Sequence, residues 1–228
     1  MLTLESPLAS LSRTAKEAGD DATTEVHATS VRARCPAAVG AAAALPWTRW
    51  LAAQARAEFD PVAAQPAQLD WEARLSPPGE PGDPLEVTGT VFAPDGEHPV
   101  AGIVVYAYHT DARGLYTPSN TPREGPRLRG WMRTGADGRF RLHSIRPAPY
   151  PNREVPAHVH FNLWGAGYPR QWTESLLFEG DPLLNAERME HSRQLGRFAN
   201  VRALARGADG VWRCTFDLKV QTVSNFRD

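Results

Sequence analysis

His158 and His160 stand one residue apart, and they follow a tyrosine, Tyr150, that is enclosed by Pro149 and Pro151. The stretch from Pro147 to His160 reads P-A-P-Y-P-N-R-E-V-P-A-H-V-H. Successive side chains of a strand point to opposite faces, so the two imidazoles of a His-x-His strand emerge on one face and can meet one metal ion. The prolines fix the backbone on both sides of Tyr150 and disfavour helix there. A phenol on so stiff a loop, a few residues ahead of the histidine strand, is placed as a third ligand. Two readings of the stretch stand side by side: a metal site, or a turn tyrosine ahead of an ordinary alternating strand.

The ligand types narrow the metal. A tyrosine, with an ordinary pKa of about 10, binds a metal well only as phenolate, so the cation must displace its proton. Oxygen anions combined with imidazole favour ferric iron among the common ions. Upstream, the run Y-A-Y-H-T-D-A-R-G-L-Y spans residues 106 to 116. Tyr116 follows a turn glycine, Gly114, just past an apolar strand pattern, and such a strand exit can reach the same end of the fold as Tyr150. Two phenolates would offset two of the three charges of Fe(III) and favour it over Fe(II).

These residues need a β scaffold, and the rest of the chain is patterned as one. A length of 228 residues suits one sizeable domain plus an extension. Proline (20) and glycine (18) are frequent enough to imply many turns and short strands, not a helical bundle. A net charge of −1 and a pI near 6.7 argue against a nucleic-acid or anionic-membrane partner. No apolar run is long enough to span a bilayer.

The first thirty residues are polar and aperiodic and read as an arm. Trp47, Trp50, Leu51, Ala55 and Phe59 then recur at helical spacing, and Pro61 ends the pattern. This predicts one amphipathic helix in an N-terminal arm over residues 1–70, docked on the main domain or on a second subunit, so a homo-oligomer is expected. An export signal over residues 32–57 is disfavoured, because its apolar part is short, weak and far from Met1. Cys35 and Cys214 belong to no metal-spaced cluster, and a reduced pair fits the cytoplasm.

After a Pro/Gly-rich linker at residues 76–84, a β domain is expected over residues 71–228. Leu85, Val87, Gly89 and Val91 alternate with Glu86, Thr88 and Thr90. The segment Val100 to Tyr108 is apolar on both faces, as a central strand is. Two G-A-D-G turns, at residues 135–138 and 207–210, mark strand–turn–strand units. Trp212, Cys214, Phe216, Leu218 and Val220 form the inward set of a last strand. Asp181-Pro182 opens a short helix or ordered excursion over residues 181–198. The fold class expected is all-β: an antiparallel β-sandwich with long functional loops and a helical N-terminal extension.

Between about Leu85 and Leu184 the chain carries, in order, L-x-V-x-G-x-V, D-A-R-G-L-Y, T-G-A-D-G-R-F-R-L, R-P-A-P-Y-P, P-A-H-V-H-F and F-E-G-D-P-L. This series resembles the intradiol ring-cleavage dioxygenases, the group that includes catechol and protocatechuate 3,4-dioxygenases. The resemblance implies a β-sandwich with Fe(III) near one end, held by Tyr116, Tyr150, His158 and His160. It also implies that Tyr150 is the ligand that leaves iron when substrate binds. The reaction implied is the cleavage of a catechol-type ring between its two hydroxylated carbons, with O2 as co-substrate and a muconate-type diacid as product.

The departures from that pattern are specific. The family's arginine directly before P-A-H is Val155 here, and Arg153 is expected to take its catalytic role, with Arg133, Arg146 and Arg170 next in line. Tyr106 and Tyr108 stand where the core strand commonly has an acidic residue and then tryptophan, and Ser175 stands in place of a common glutamine. Tyr108 and His109 read as core or hydrogen-bonding residues that flank the site, and His143 as structural. Trp164, Tyr168 and Arg170 are candidates for a pocket wall, whereas His27, His98 and His191 read as solvated. A rival from another class remains: a β-sandwich that binds iron or a ligand without turnover.

Overall fold

The structure, a computed structural model, describes residues 59–118 and 125–226. Strands follow the period-two segments: β1 (Glu72–Arg74), β2 (Pro84–Phe92), β3 (Val104–His109), β4 (Leu128–Arg133), β5 (Arg139–Ile145), β6 (His158–Gly165), β7 (Tyr168–Trp172) and β8 (Leu176–Phe178). One helix, α1 (Ala186–Gln194), is followed by β9 (Val201–Arg202), β10 (Ala205–Arg206), β11 (Trp212–Thr215) and β12 (Leu218–Lys219). The helix expected from Trp47 lies outside the described residues, apart from its last member, Phe59, and so do His27, Cys35 and the segment 32–57.

The strands form two sheets. The first has the order β1-β5-β2-β11-β10, with β12 also beside β2; the second has β4-β3-β6-β8-β9, with β7 also beside β6. Leu85, Val87, Val91, Phe140 and Leu142 from the first sheet share one core with Val105, Ala107, Val159, Phe161 and Leu163 from the second. The expectation of a purely antiparallel sheet is corrected here, because β1–β5, β2–β11, β2–β12 and β8–β9 are parallel pairs. Each parallel neighbour arrives from a distant part of the chain, and alternation within a strand carries no information about such partners.

The two G-A-D-G turns serve different purposes. The turn at residues 207–210 closes a hairpin between β10 and β11, whereas the one at 135–138 carries the chain from β4 in one sheet to β5 in the other. The expected helix start at Asp181-Pro182 is also displaced. Asn185 caps α1 by accepting from the Arg188 backbone N–H at 2.9 Å, while Asp181 Oδ2 accepts from Ala157 N at 3.0 Å and anchors the entry to β6.

Residues 59–70 pack on the second sheet. Trp131 Nε1 donates to the Pro61 carbonyl at 2.8 Å, Trp164 Nε1 to Gln65 Oε1 at 2.9 Å, and Arg133 N to the Asp70 carbonyl at 2.8 Å. Phe59 and Leu69 join a second cluster with Val104, Tyr106, Tyr108, Trp131 and Trp164, on the face of β3 and β6 that points away from the shared core. That outward face positions the site.

Candidate metal centre

Strand β6 alternates as its sequence demands. Val159, Phe161 and Leu163 enter the shared core, so His158 and His160 emerge together on the other face. His158 Nδ1 lies 2.7 Å from the Pro156 carbonyl, which only accepts, so Nδ1 carries the proton and Nε2 presents its lone pair. His160 Nδ1 is 2.9 Å from Ser175 Oγ, which fixes the ring and leaves Nε2 facing His158 Nε2 at 3.0 Å. Pairing in the sheet sets Tyr108 opposite His160, and their rings stack with centroids 4.7 Å apart.

The two tyrosines arrive on loops that are tied together. Asp111 accepts from Arg113 N at 2.8 Å and Leu115 N at 3.0 Å, folding D-A-R-G-L-Y into a tight turn. Thr110 Oγ1 donates to the Ala148 carbonyl at 2.7 Å. Gly114, at φ 83°, lies so close to the Pro149 carbonyl that any side chain there would clash with it. This contact brings Tyr116 Oη to 2.6 Å from Tyr150 Oη, which is in turn 3.1 Å from His158 Nε2. Two phenol oxygens and two imidazole nitrogens thus form a continuous group with neighbours 2.6 to 3.1 Å apart.

Such a group fits a metal. Donors bound at about 2.0–2.2 Å to one ion sit roughly 3 Å from one another. Burial holds both imidazoles below their ordinary pKa, with His160 at about 3 through burial and then the neighbouring His158, so each is neutral and ligand-ready at pH 7. Burial, followed by the hydrogen bond to Tyr150, pushes the Tyr116 phenol well above the usual range. It therefore ionises only beside a strongly charged cation. Among the described residues no cluster of three His, Cys, Asp or Glu side chains could hold a metal, so a metal at His158 and His160 would need donors of another type, such as the two phenols.

The family model described as Dioxygenase matches residues 60–222. The chain belongs to the intradiol ring-cleavage dioxygenase family. Catechol 1,2-dioxygenase 1 of Acinetobacter lwoffii is 35% identical over 126 residues, covering 47% of this chain and 40% of the relative. The 6-chlorohydroxyquinol 1,2-dioxygenase of Cupriavidus pinatubonensis is 30% identical over 155 residues, covering 61% and 54%. The chain therefore spans about half the length of the curated relatives it matches. Among solved structures, the dioxygenase domain of a dioxygenase–carbohydrate-binding fusion from Streptomyces sp. SirexAA-E aligns with a TM-score of 0.51 at 26% identity, covering 72% of this chain and 94% of that one.

The remaining candidates separate clearly. Arg153 is not brought to the donor group: its side chain is exposed, makes no hydrogen bond or ion pair among the described residues, and its backbone adopts φ 54°. Arg133 lies against the Gly102 carbonyl, Arg146 near Asp83 and over Trp212, and Arg170 against Asp60 and Phe226. His109 is fully buried between the sheets, bonded to the Thr110 carbonyl and Ser144 Oγ, both at 2.7 Å. His143 sits on β5 beside Glu86, and His98 pairs with Asp95. Trp164 joins the outer aromatic cluster, while Tyr168 packs on the shared core.

A cavity of about 450 Å³ opens beside the two histidines. It is lined by Val155 and Leu177 and, from α1, by Arg188 and His191. His191 is exposed, as its polar surroundings in the sequence imply, and it pairs with Glu174 at 3.0 Å at the cavity wall. The missed signal was Asn185 ahead of A-E-R-M-E-H, a helix start that puts Arg188 in the first turn.

Proposed function

We propose that this chain cleaves a catechol-type ring between its two hydroxylated carbons, using ferric iron held by Tyr116, Tyr150, His158 and His160. The observation that carries this reading is the convergence of Tyr116 Oη, Tyr150 Oη, His158 Nε2 and His160 Nε2. Ferric iron bound there supplies a Lewis acid that draws electron density from a diolate ring and makes it reactive toward O2. The reaction balances without an added reductant, since both atoms of O2 enter the diacid.

The protein's own groups prepare that chemistry. His158 and His160 are locked by the Pro156 carbonyl and Ser175, so they hold position while other groups move. Tyr150 sits on the loop between two prolines, half-buried, and is the donor free to swing away. Its Oη then accepts a proton from the incoming diol. Tyr116 is the fixed phenolic donor, tied by the Gly114 contact with the Pro149 carbonyl. The cavity lined by Val155 and Leu177 gives the ring an apolar bed next to the imidazoles.

The test begins with metal and colour. Protein from iron-replete medium is expected to hold about one ferric ion per chain and to be visibly coloured by the phenolate ligands. Anaerobic catechol shifts that colour, and oxygen then gives uptake with ring opening. Stoichiometric zinc without iron would overturn the metal assignment. Iron and a colour shift without oxygen uptake across catechols, hydroxyquinols and dihydroxybenzoates would leave a binding module, the reading that Val155 in the arginine's place favours.

A further inference from the structure

The pairing of β6 with β8 stops one residue short of His160. Its last rung joins Val159 to Leu176, and the same register carried one step further would set Ser175 directly opposite His160. Ser175 lies outside β8, yet its hydroxyl is 2.9 Å from His160 Nδ1. The residue that fixes the ring is therefore not itself fixed by the ladder to β6. Asn200 holds it from the other side of β8. Asn200 Nδ2 donates to the Ser175 carbonyl at 2.9 Å, and the Asn200 carbonyl accepts from Leu177 N at 2.8 Å. The parallel ladder of β8 with β9 begins only at Leu177 and Val201, so the side-chain amide of Asn200 adds the rung that the backbone has not yet supplied.

Stability alone does not account for an asparagine there. The residue is 5% exposed, and with Nδ2 committed to Ser175 its Oδ1 is buried without a hydrogen-bond partner among the described residues. An apolar side chain of similar size would carry no such orphan acceptor. We propose that Asn200 is a positioning residue for His160, acting through Ser175. This assignment rests on the iron site proposed above, in which His160 keeps Nε2 aimed at the other three donors. A serine hydroxyl can donate to Nδ1 or accept from it, so Ser175 holds the ring whichever nitrogen carries the proton, provided that its backbone stays in place. Asn200 supplies that proviso, and the direction of a ligand on β6 is thereby set two strands away, at the entry to β9.

The experiment compares the full-length parent with Ser175→Ala, Asn200→Leu and the double variant. In metal-free protein carrying isotope-labelled histidine, proton–nitrogen spectra read the pose of the His160 ring. The parent is expected to give one set of His160 ring signals. Ser175→Ala and Asn200→Leu should each give a second or broadened set, while Asn200→Leu melts within about 3 °C of the parent. In iron-loaded protein, chelator competition reads affinity for the metal. Each single substitution should weaken iron binding by about tenfold, the lower end for groups that orient a ligating histidine. Because Asn200 acts through Ser175, the double variant should be weaker than Ser175→Ala by less than about twofold. Parent-like ring signals or parent-like iron affinity in Asn200→Leu overturns the assignment, and so do losses that multiply to about a hundredfold in the double variant. Should Asn200→Leu fail to fold, Asn200→Ala carries the same comparison. Failure of the iron reading looks different: the parent then takes up no iron, and the ring signals of the metal-free protein decide for or against Asn200.

Discussion

His160 has two unlike sides. On one, Tyr108 stacks against it and leads into Tyr106, Trp131, Trp164 and Phe59, an aromatic cluster with neighbouring centroids 4.7 to 6.4 Å apart. On the other lies the cavity, bounded by Val155, Leu177 and the first turn of α1. The packed side is made mainly of strand residues whose directions are fixed by pairing, with Phe59 laid over them, and it holds the imidazole still. The open side is lined by loop and helix residues around Leu177 of β8, and it leaves a cavity of about 450 Å³. Fixing and admitting are thus divided between two kinds of structure that meet at one imidazole.

The strongest way to break this division is to remove the ligand on which both sides converge. His160→Ala is expected to lower iron from about one ion per chain to below roughly a tenth, because its Nε2 is one of the four donors of the proposed site. Metal analysis on protein whose folding is verified by circular dichroism checks it. Iron retained at parent level would remove His160 from the donor set.

The packed side is tested next. Tyr108→Ala opens a void between β3 and His160 and should cost about 3 kcal/mol in urea unfolding, while Tyr108→Phe keeps the stack and should cost less than about 1 kcal/mol. If Phe and Ala variants melt alike, the stacked ring contributes little and the ligand is held by Ser175 alone.

Much of the packed side was legible in the sequence, because a period of two assigns faces: Val159 and Phe161 in, His158 and His160 out. The tyrosine pair was legible only with the family motifs beside it. Nothing in the spacing of Tyr116 and Tyr150 says that Gly114 lets two loops touch at Pro149. The open side was not legible, since the pairing of Glu174 with His191 and the place of Arg188 on the cavity wall depend on where a nine-residue helix docks. Parallel pairing of β2 with β11 escaped for the same reason, as strand alternation records burial and not neighbour.

Below the packed side, His109 bridges the sheets, and acid should loosen that bridge. Its Nδ1–H donates to the Thr110 carbonyl and its Nε2 accepts from Ser144, so the neutral ring is fully bonded. Burial holds its pKa at about 4, below the ordinary 6.5. Between those values the unfolded chain takes up a proton that the folded chain refuses, so stability rises with pH through this window and is lost as pH falls. The loss reaches roughly 2–3 kcal/mol by pH 4. Urea unfolding at pH 4, 5, 6 and 7 reads the slope, and His109→Gln should flatten it. An unchanged slope in that variant would assign the acid sensitivity to other groups.

The smallest effect is expected at Arg153, the residue that links the comparison to the loop. Its N–H donates to the Tyr150 carbonyl at 2.8 Å, so its backbone closes the turn that carries Tyr150. The same turn forces φ 54°, which costs a non-glycine residue roughly 1 kcal/mol, and the exposed Arg153 does not line the cavity. Backbone and side chain can therefore be separated by two substitutions. Arg153→Gly keeps the turn, relieves the strain and should stabilise by about 0.5–1 kcal/mol, whereas Arg153→Ala removes the same charge without that relief. If the charge stays outside the reaction, both variants take up oxygen with catechol at within about twofold of the parent rate. A slowing of about tenfold in both, or roughly 1.4 kcal/mol of barrier, would mean that the loop folds inward when the diol binds. Arg153 would then act in the catalytic role expected from the sequence, and the open side of His160 would be closed by the substrate itself.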